Sequence, residues 1–455
     1  DMITGIEKFV KVFLPTLISL IGVIWIYFKV LYFSLDKNLV DNPNARKLQK
    51  SPVPVMGGMA VFFGVLCGSL VACCLFDCTQ LIPIFLGMGM MLYLGILDDH
   101  IGLTPIVRLF FEVAVIAVLI YGSGACVDSL HGLWGIGDFS WWYGVPLTIF
   151  AGVGIINAMN MIDGVNGLSS GLCLVCSAMF GIALYRGQDI QDATICFCMA
   201  AALIPFLIQN VIGYSSKMVL GDAGSMVMGV LMSWCVIQVL RADTKAGWLA
   251  YEFSGMCLIA LVFAILAVPV MDTIRVMFMR MLHGKSPFSA DKTHLHHILF
   301  KYSGSHSLTS ISEIGITFLI VIVWAVSYKM DLSIDWQFYV TFGAAVILVW
   351  GTYFMMDRED RLNTGIAVTM RKSLRAARQG NHQWWLKLQI FIDTPRGIDR
   401  LGAEKKKEEA KLARSVEDRY KVKSYERGNI GSAAAERRLI ALLCSHPDLC
   451  GSVRK

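Results

Sequence analysis

Charge is what this sequence lacks most: Asp, Glu, Lys and Arg make up 16% of its 455 residues, while 56% are hydrophobic. Soluble domains carry about 25% charged residues, so a water-soluble globular domain is excluded for most of the chain, and the mean hydropathy of +0.60 agrees. Segments of about ten residues with alternating polarity are also missing, which excludes a transmembrane β-barrel. The 13 cysteines offer no metal framework. Cys73-Cys74, Cys173-Leu-Val-Cys176 and Cys196-Phe-Cys198 lack the second ligand pair a zinc site needs, and their apolar surroundings suit small packing residues. There is no nucleic-acid-binding motif and no strong internal repeat. The first apolar run is too long for a signal peptide and has no small-residue cleavage pattern.

What is present is a series of apolar runs of roughly 17 to 25 residues, about the length that spans a hydrocarbon core as helix. Eleven lie near 9 to 33, 55 to 76, 81 to 97, 106 to 123, 141 to 160, 168 to 185, 192 to 214, 225 to 240, 254 to 279, 310 to 328 and 336 to 355. The expected fold is therefore all-α, a polytopic integral membrane protein. One alternating set of loops carries Lys37, Arg46, Lys47, Lys50, Arg108, Lys217, Arg280, Lys285, Lys292 and Lys301, and the opposite set only Arg186, Arg241, Lys245 and Lys329, with Lys8 and Lys11 before the first span. Basic loops stay in the cytoplasm, which predicts the N-terminus outside and the C-terminus inside. From Asp357 the composition changes: 22 Lys and Arg stand against 13 Asp and Glu, a net +9. Residues 1–356 are read as the transmembrane domain and 357–455 as a basic cytosolic tail. In the tail, "MRKSLRAARQGNHQWWLKLQIF" suits either anionic headgroups or a solvated, partly helical extension, and "EKKKEEAKLARSVEDRYKVK" a charged helix.

Ionisable residues beside membrane helices are costly and point to function. Here they gather in five loops of the basic set. "VDNPNARKLQKSPVPVMGG" joins an anion surface to Gly57-Gly58, which permit close backbone approach. "GILDDHIGLTPIVRLFFE" ends a helix in Asp98 and Asp99, roughly 100° apart on a helix and so suited to divided roles. Nine residues on, Arg108 suits either a phosphate or an internal ion pair with an aspartate. In "NAMNMIDGVNGLSSG", Asn157, Asn160 and Asp163 share one side of a helix end at i, i+3 spacing and could present oxygens to a hard cation. "KMVLGDAGSMVMG" places Asp222 between glycines at a helix start, either as a metal ligand or as a simple N-cap. Finally, "SPFSADKTHLHHIL" carries His294, His296 and His297 among Arg275, Arg280, Lys285 and Lys292. Without cysteines in these loops zinc fits poorly, and the histidines suit phosphate oxygens.

The ordered set "LDD", "NAMNMIDGVNGL", "GDAGS" and "SPFSADKTHLHH" resembles the polyprenyl-phosphate N-acetylhexosamine-1-phosphate transferases over roughly residues 5 to 355. The resemblance implies that undecaprenyl phosphate attacks the β-phosphate of a UDP-N-acetylhexosamine at the cytoplasmic face of a bacterial inner membrane, releasing UMP. It also implies Mg²⁺, with Mn²⁺ as the alternative ion. By position it implies Asp98, Asp99 and Asp163 as catalytic, Asp98 orienting or deprotonating the lipid phosphate. Asp222, Asn160 and Asp163 would hold the metal. Arg108, Arg280, Lys217, His294, His296 and His297 would bind phosphates, and Asn166, Asn210, Gly57 and Gly58 would lie toward the nucleotide. Gln49, Glu112 and Asn166 depart from the His, Gln and second Asp of many relatives. The histidine motif is similar to the WecA and TagO branch, which makes lipid-linked GlcNAc-phosphate for surface glycans. The branch acting on UDP-MurNAc-pentapeptide usually has three consecutive histidines. The expected partners are the UDP-sugar, undecaprenyl phosphate and membrane lipid, with a homodimer as the candidate assembly and no nucleic acid. From another class, a transporter would place its binding groups at the bilayer midplane.

Overall fold

A computed structural model describes residues 2–41, 53–213, 216–241, 255–287, 293–362, 388–389 and 392–393. The chain divides into two units, Asp1–Ile392 and Asp393–Lys455, and all the candidate membrane spans lie in the first. The two tail segments singled out in the sequence, the loop with Arg46, Lys47, Gln49 and Lys50, and Lys245 and Lys292 lie outside the described residues, apart from Leu388 and Gln389.

Among the described residues eleven helices are long and apolar enough to cross a membrane, as the hydropathy pattern predicts. They are α1 (Met2–Asp36), α2 (Gly57–Leu75), α3 (Ile82–Ile101), α4 (Pro105–Ser123), α5 (Trp141–Met161), α6 (Leu168–Arg186), α7 (Ile190–Ile212), α8 (Gly221–Leu240), α9 (Leu258–Leu282) and α11 (His306–Lys329). The eleventh span is composite: α12 (Ile334–Ala345) passes through a π-helical turn, Val346–Gly351, into α13 (Thr352–Leu362). That last helix runs through Asp357, where the composition changes. A short helix, α10 (Leu295–Ser303), lies between α9 and α11. It is capped by His294, carries His296 and His297 in its first turn and is too short to span. The strands are a two-residue pair, Val40–Asp41 antiparallel to Val53–Pro54.

The apolar outer surfaces, such as Phe110, Phe150 and Ile347, are exposed, as expected of helices solvated by lipid tails. Lipid is as apolar as leucine, so burial alone does not hold helices together there; close packing through small residues does. Helix α8 is the clearest case. Every residue from Ala223 to Leu240 is buried, and α2, α3 and α5 pack closely around it. A Cβ at Gly58 would overlap the Gly224 backbone, and one at Gly95 would overlap Ala223. Lower on α8, a Cβ at Gly229 would come within 2.7 Å of Ile156 Cα. Two backbones thus converge on the first turn of α8, the turn that carries Asp222.

Gly58→Val and Gly95→Val should each force that turn apart and cost about 1–3 kcal/mol. Thermal unfolding in detergent checks this: the midpoint falls by several degrees, or folded protein fails to accumulate. Gly89→Ala, whose Cβ meets nothing within 4 Å, leaves the midpoint unchanged or raises it.

Candidate active site

The first turn of α8 leaves backbone N–H groups that need acceptors. Gly221 enters with φ +75°, and the carboxylate that caps the turn comes from another helix. Asp99, near the end of α3, accepts from Asp222 N at 3.1 Å and Ala223 N at 3.3 Å. The Asp222 side chain therefore need not fold back as an N-cap. Its Oδ1 accepts from Asn160 Nδ2 at 2.8 Å.

Asn160 lies in the last turn of α5 and joins three elements. Its Nδ2 also donates to Ser225 Oγ at 2.9 Å, and its Oδ1 accepts from Arg108 Nη2 at 3.0 Å. Arg108, on α4, in turn meets Asp98 Oδ2 at 3.1 Å and lies 4.0 Å from Glu112 Oε1. Asp98 also accepts from Leu103 N, at 2.6 Å. A continuous chain, Asp98–Arg108–Asn160–Asp222, thus crosses from α3 to α8. The adjacent aspartates point to different partners, Asp98 to a guanidinium and Asp99 to amides. Asn157, one turn before Asn160, donates to the buried Glu112.

Asp163 sits just past the end of α5. Burial, then the neighbouring Asp222 charge, push its carboxyl up to about 7 against a hydrogen bond from Gly221. Beyond Asp163 the chain turns sharply. Gly167 has φ +79°, and its N–H donates to Asn210 Oδ1 at 2.6 Å while Asn210 Nδ2 donates to Met218 O at 2.7 Å. Asn210 is thereby a buried clamp between this turn and the segment before α8. Asn166 sits at the bend, with Ser310 Oγ donating to its carbonyl. Gly57 and Gly58 donate to Val219 O and Leu220 O; the close approach they permit is to the start of α8 and not to open space where a nucleotide could lie.

The histidines face the same turn from the other side. A Cβ on Gly164 would stand 3.0 Å from His296 Nε2. The His294 and His296 rings stack at 5.5 Å with 8° between planes, and His296 and His297 lie 4.3 Å apart. Burial, followed by the charges of His297 and His294, holds His296 well below the usual histidine range. Arg280 Nη1 donates to Pro287 O at 2.6 Å. Lys217, half-buried before α8, is lowered to about 8 by burial, and no carboxylate among the described residues pairs with it.

Among the described residues no three His, Cys, Asp or Glu side chains converge as a ready-made metal cage. Mg²⁺ takes one or two protein carboxylates and completes its shell with water and substrate phosphates. Asp222 and Asp163, two acids whose charges repel, fit such a cation, as both would be stabilised by it. Asn160 fits less directly, because its carbonyl faces Arg108 and its amide faces Asp222; as a ligand it would have to reverse. Sequence reasoning passed over Ser225, which holds Asn160, and gave no site role to Glu112, although Glu112 lies one helical turn from Arg108.

Residues 81–240 match the model of glycosyl transferase family 4. A probable undecaprenyl-phosphate N-acetylglucosaminyl 1-phosphate transferase of Bacillus subtilis (strain 168) is 30% identical over 332 residues, covering 72% of this chain and 88% of its own. The undecaprenyl-phosphate alpha-N-acetylglucosaminyl 1-phosphate transferase of Yersinia pestis is 29% identical over 321 residues, 68% of this chain and 82% of that one. The protein of the same name in Escherichia coli (strain K12) is 31% identical over 275 residues, 58% and 69% of the two chains. With helices α3 to α8 inside the family match and relatives aligned over most of their length, the chain belongs to glycosyl transferase family 4.

Proposed function

We propose that the chain transfers an N-acetylhexosamine-1-phosphate, foremost GlcNAc-1-phosphate, from its UDP-sugar to undecaprenyl phosphate and releases UMP. The observation that carries this reading is the link Asp98–Arg108–Asn160–Asp222, with the histidine motif lying across Gly164. Acids, amides and bases meet there at one end of an apolar bundle. Bringing two polyanions together requires positioning and charge neutralisation more than covalent help.

In this reading a lipid phosphate oxygen bonds to the β-phosphorus as the bridging bond to UMP breaks. Asp98 orients that phosphate or takes its proton. Arg108 exchanges its internal carboxylate partner for a phosphoryl oxygen, an exchange its bidentate geometry favours. His294, His296, His297, Arg280 and Lys217 bind the diphosphate, and Asn166 lies toward the nucleotide. Asp222 and Asp163 would hold Mg²⁺, which supplies Lewis-acid neutralisation of phosphoryl charge. The basic residues in the loops at this end support a cytoplasmic site in a bacterial inner membrane, with the N-terminus outside and residues 357–455 as a cytosolic tail. The donor is assigned by the likeness of the histidine motif to the GlcNAc branch.

Purified chain with UDP-GlcNAc and Mg²⁺ should exchange labelled UMP into the nucleotide sugar when undecaprenyl phosphate is supplied, an activity a transporter lacks. Asp98→Asn should lower the rate roughly 10²–10⁴-fold, the scale of a lost general base. For Asp222→Ala the expected loss is at least about 10²-fold at millimolar Mg²⁺, with part of it recovered as the cation is raised.

Lys217 is charged below about pH 8 and neutral above it. If it binds phosphate, kcat/KM, which reports the free enzyme, falls as the pH rises through that value. Lys217→Arg keeps the charge at every accessible pH and should flatten the alkaline limb.

A further inference from the structure

The histidine motif is gripped from below by a residue that neither the sequence pattern nor the proposed chemistry uses. Asp272, on α9 three residues past Pro269, is 2% exposed. Its Oδ2 meets His294 Nδ1 at 2.9 Å, and its two oxygens accept from Leu295 N at 3.1 and 3.2 Å. Arg275, one turn on, closes the grip: it donates to Asp272 Oδ1 at 2.7 Å and to Thr293 O at 2.5 Å. Arg275 is itself fixed by stacking 3.5 Å over the Tyr353 ring of α13. Residues 293 to 295 are thus held through Thr293 O, His294 Nδ1 and Leu295 N, by two side chains of a single helix.

A carboxylate on one ring nitrogen of a histidine decides what the other can do. A neutral imidazole with its proton on Nδ1 presents a bare Nε2, which would repel a phosphate oxygen. With Asp272 on Nδ1, the ring can carry both protons, so that Nε2–H donates to an anion. His294 Nε2 makes no hydrogen bond to a described residue. The other charged or titratable groups around this pair are Arg275 on α9, His296 and His297 on α10, Glu313 on α11 and Tyr353 on α13. Among these groups only Asp272 has a carboxylate on the His294 ring.

We propose that Asp272 is a positioning residue for the transfer reaction, holding His294 so that its Nε2–H faces a phosphoryl oxygen of the bound substrate. This rests on the transferase reading above. It differs from a purely structural role, in which Asp272 would only brace α10.

The test is a double-mutant cycle with Asp272→Asn and His294→Gln, read in kcat/KM for UDP-GlcNAc and in the unfolding midpoint of the full chain. Asp272→Asn should lower kcat/KM roughly 10–100-fold, the range seen when the outer partner of a ligating histidine is removed. The double variant should be no slower than His294→Gln alone, because the aspartate acts through that ring. If Asp272→Asn does not accumulate, Asp272→Glu, which keeps the charge but displaces it, enters the same cycle. Multiplying effects in the double variant, an Asp272 variant within twofold of the unaltered chain, or a silent His294→Gln would each overturn the inference. An unaltered chain with no UMP exchange at all would overturn the transferase reading and this inference with it.

Discussion

The arrangement depends on who caps α8. A buried helix start must find acceptors for its amides, because a backbone N–H left unpaired away from water is costly. Here the acceptor is Asp99 of α3, brought within reach because Gly95 lets α3 lie against Ala223. Had Asp222 capped its own helix, its carboxylate would have been turned back onto the backbone. The borrowed cap lets Asp222 reach Asn160, and through it Arg108 and Asp98. One steric allowance on α3 thus decides the direction of a charge on α8.

A second consequence is a division of charge. The acids and the amides that bind them occupy the α3, α4, α5 and α8 side of the turn at Gly164, and the histidines with Arg275 and Arg280 occupy the α9 and α10 side. Within the acid side Arg108 moderates repulsion between Asp98 and Glu112. Within the basic side Asp272 does the same for Arg275 and His294. Each half thus carries opposite charge of its own, which makes a concentrated site tolerable in surroundings of low dielectric. A substrate with several phosphates and a divalent cation would exchange these internal partners for its own.

Much of this was legible in the sequence. Eleven apolar runs became eleven candidate spans because run length and helix rise leave little choice. The polar clusters that end up near one another were named because charged residues are so few in the rest of the chain. Local spacing could not reach contacts between distant segments. Asp222 could also be read as an N-cap, since the residue that does cap the turn lies 123 positions away. Gly57 and Gly58 looked available to a ligand, although their neighbour is the α8 backbone. Asn210 was assigned to the nucleotide, and its amide is engaged with Gly167 and Met218. The composition of α9 gave no hint that Asp272 meets a histidine 22 residues on. Helix α10 was hidden for another reason: at nine residues it is too short for a hydropathy window to register.

The central claim is that the acids around the start of α8 and the histidines beyond Gly164 form one phosphate-handling site. An experimental structure of the full chain with UDP-GlcNAc and Mn²⁺, the ion located by anomalous scattering, would test it most directly. The account predicts the ion against Asp222 and Asp163, and the diphosphate between that ion and His294. An ion held elsewhere, or a nucleotide bound near the bilayer midplane away from both clusters, would contradict it.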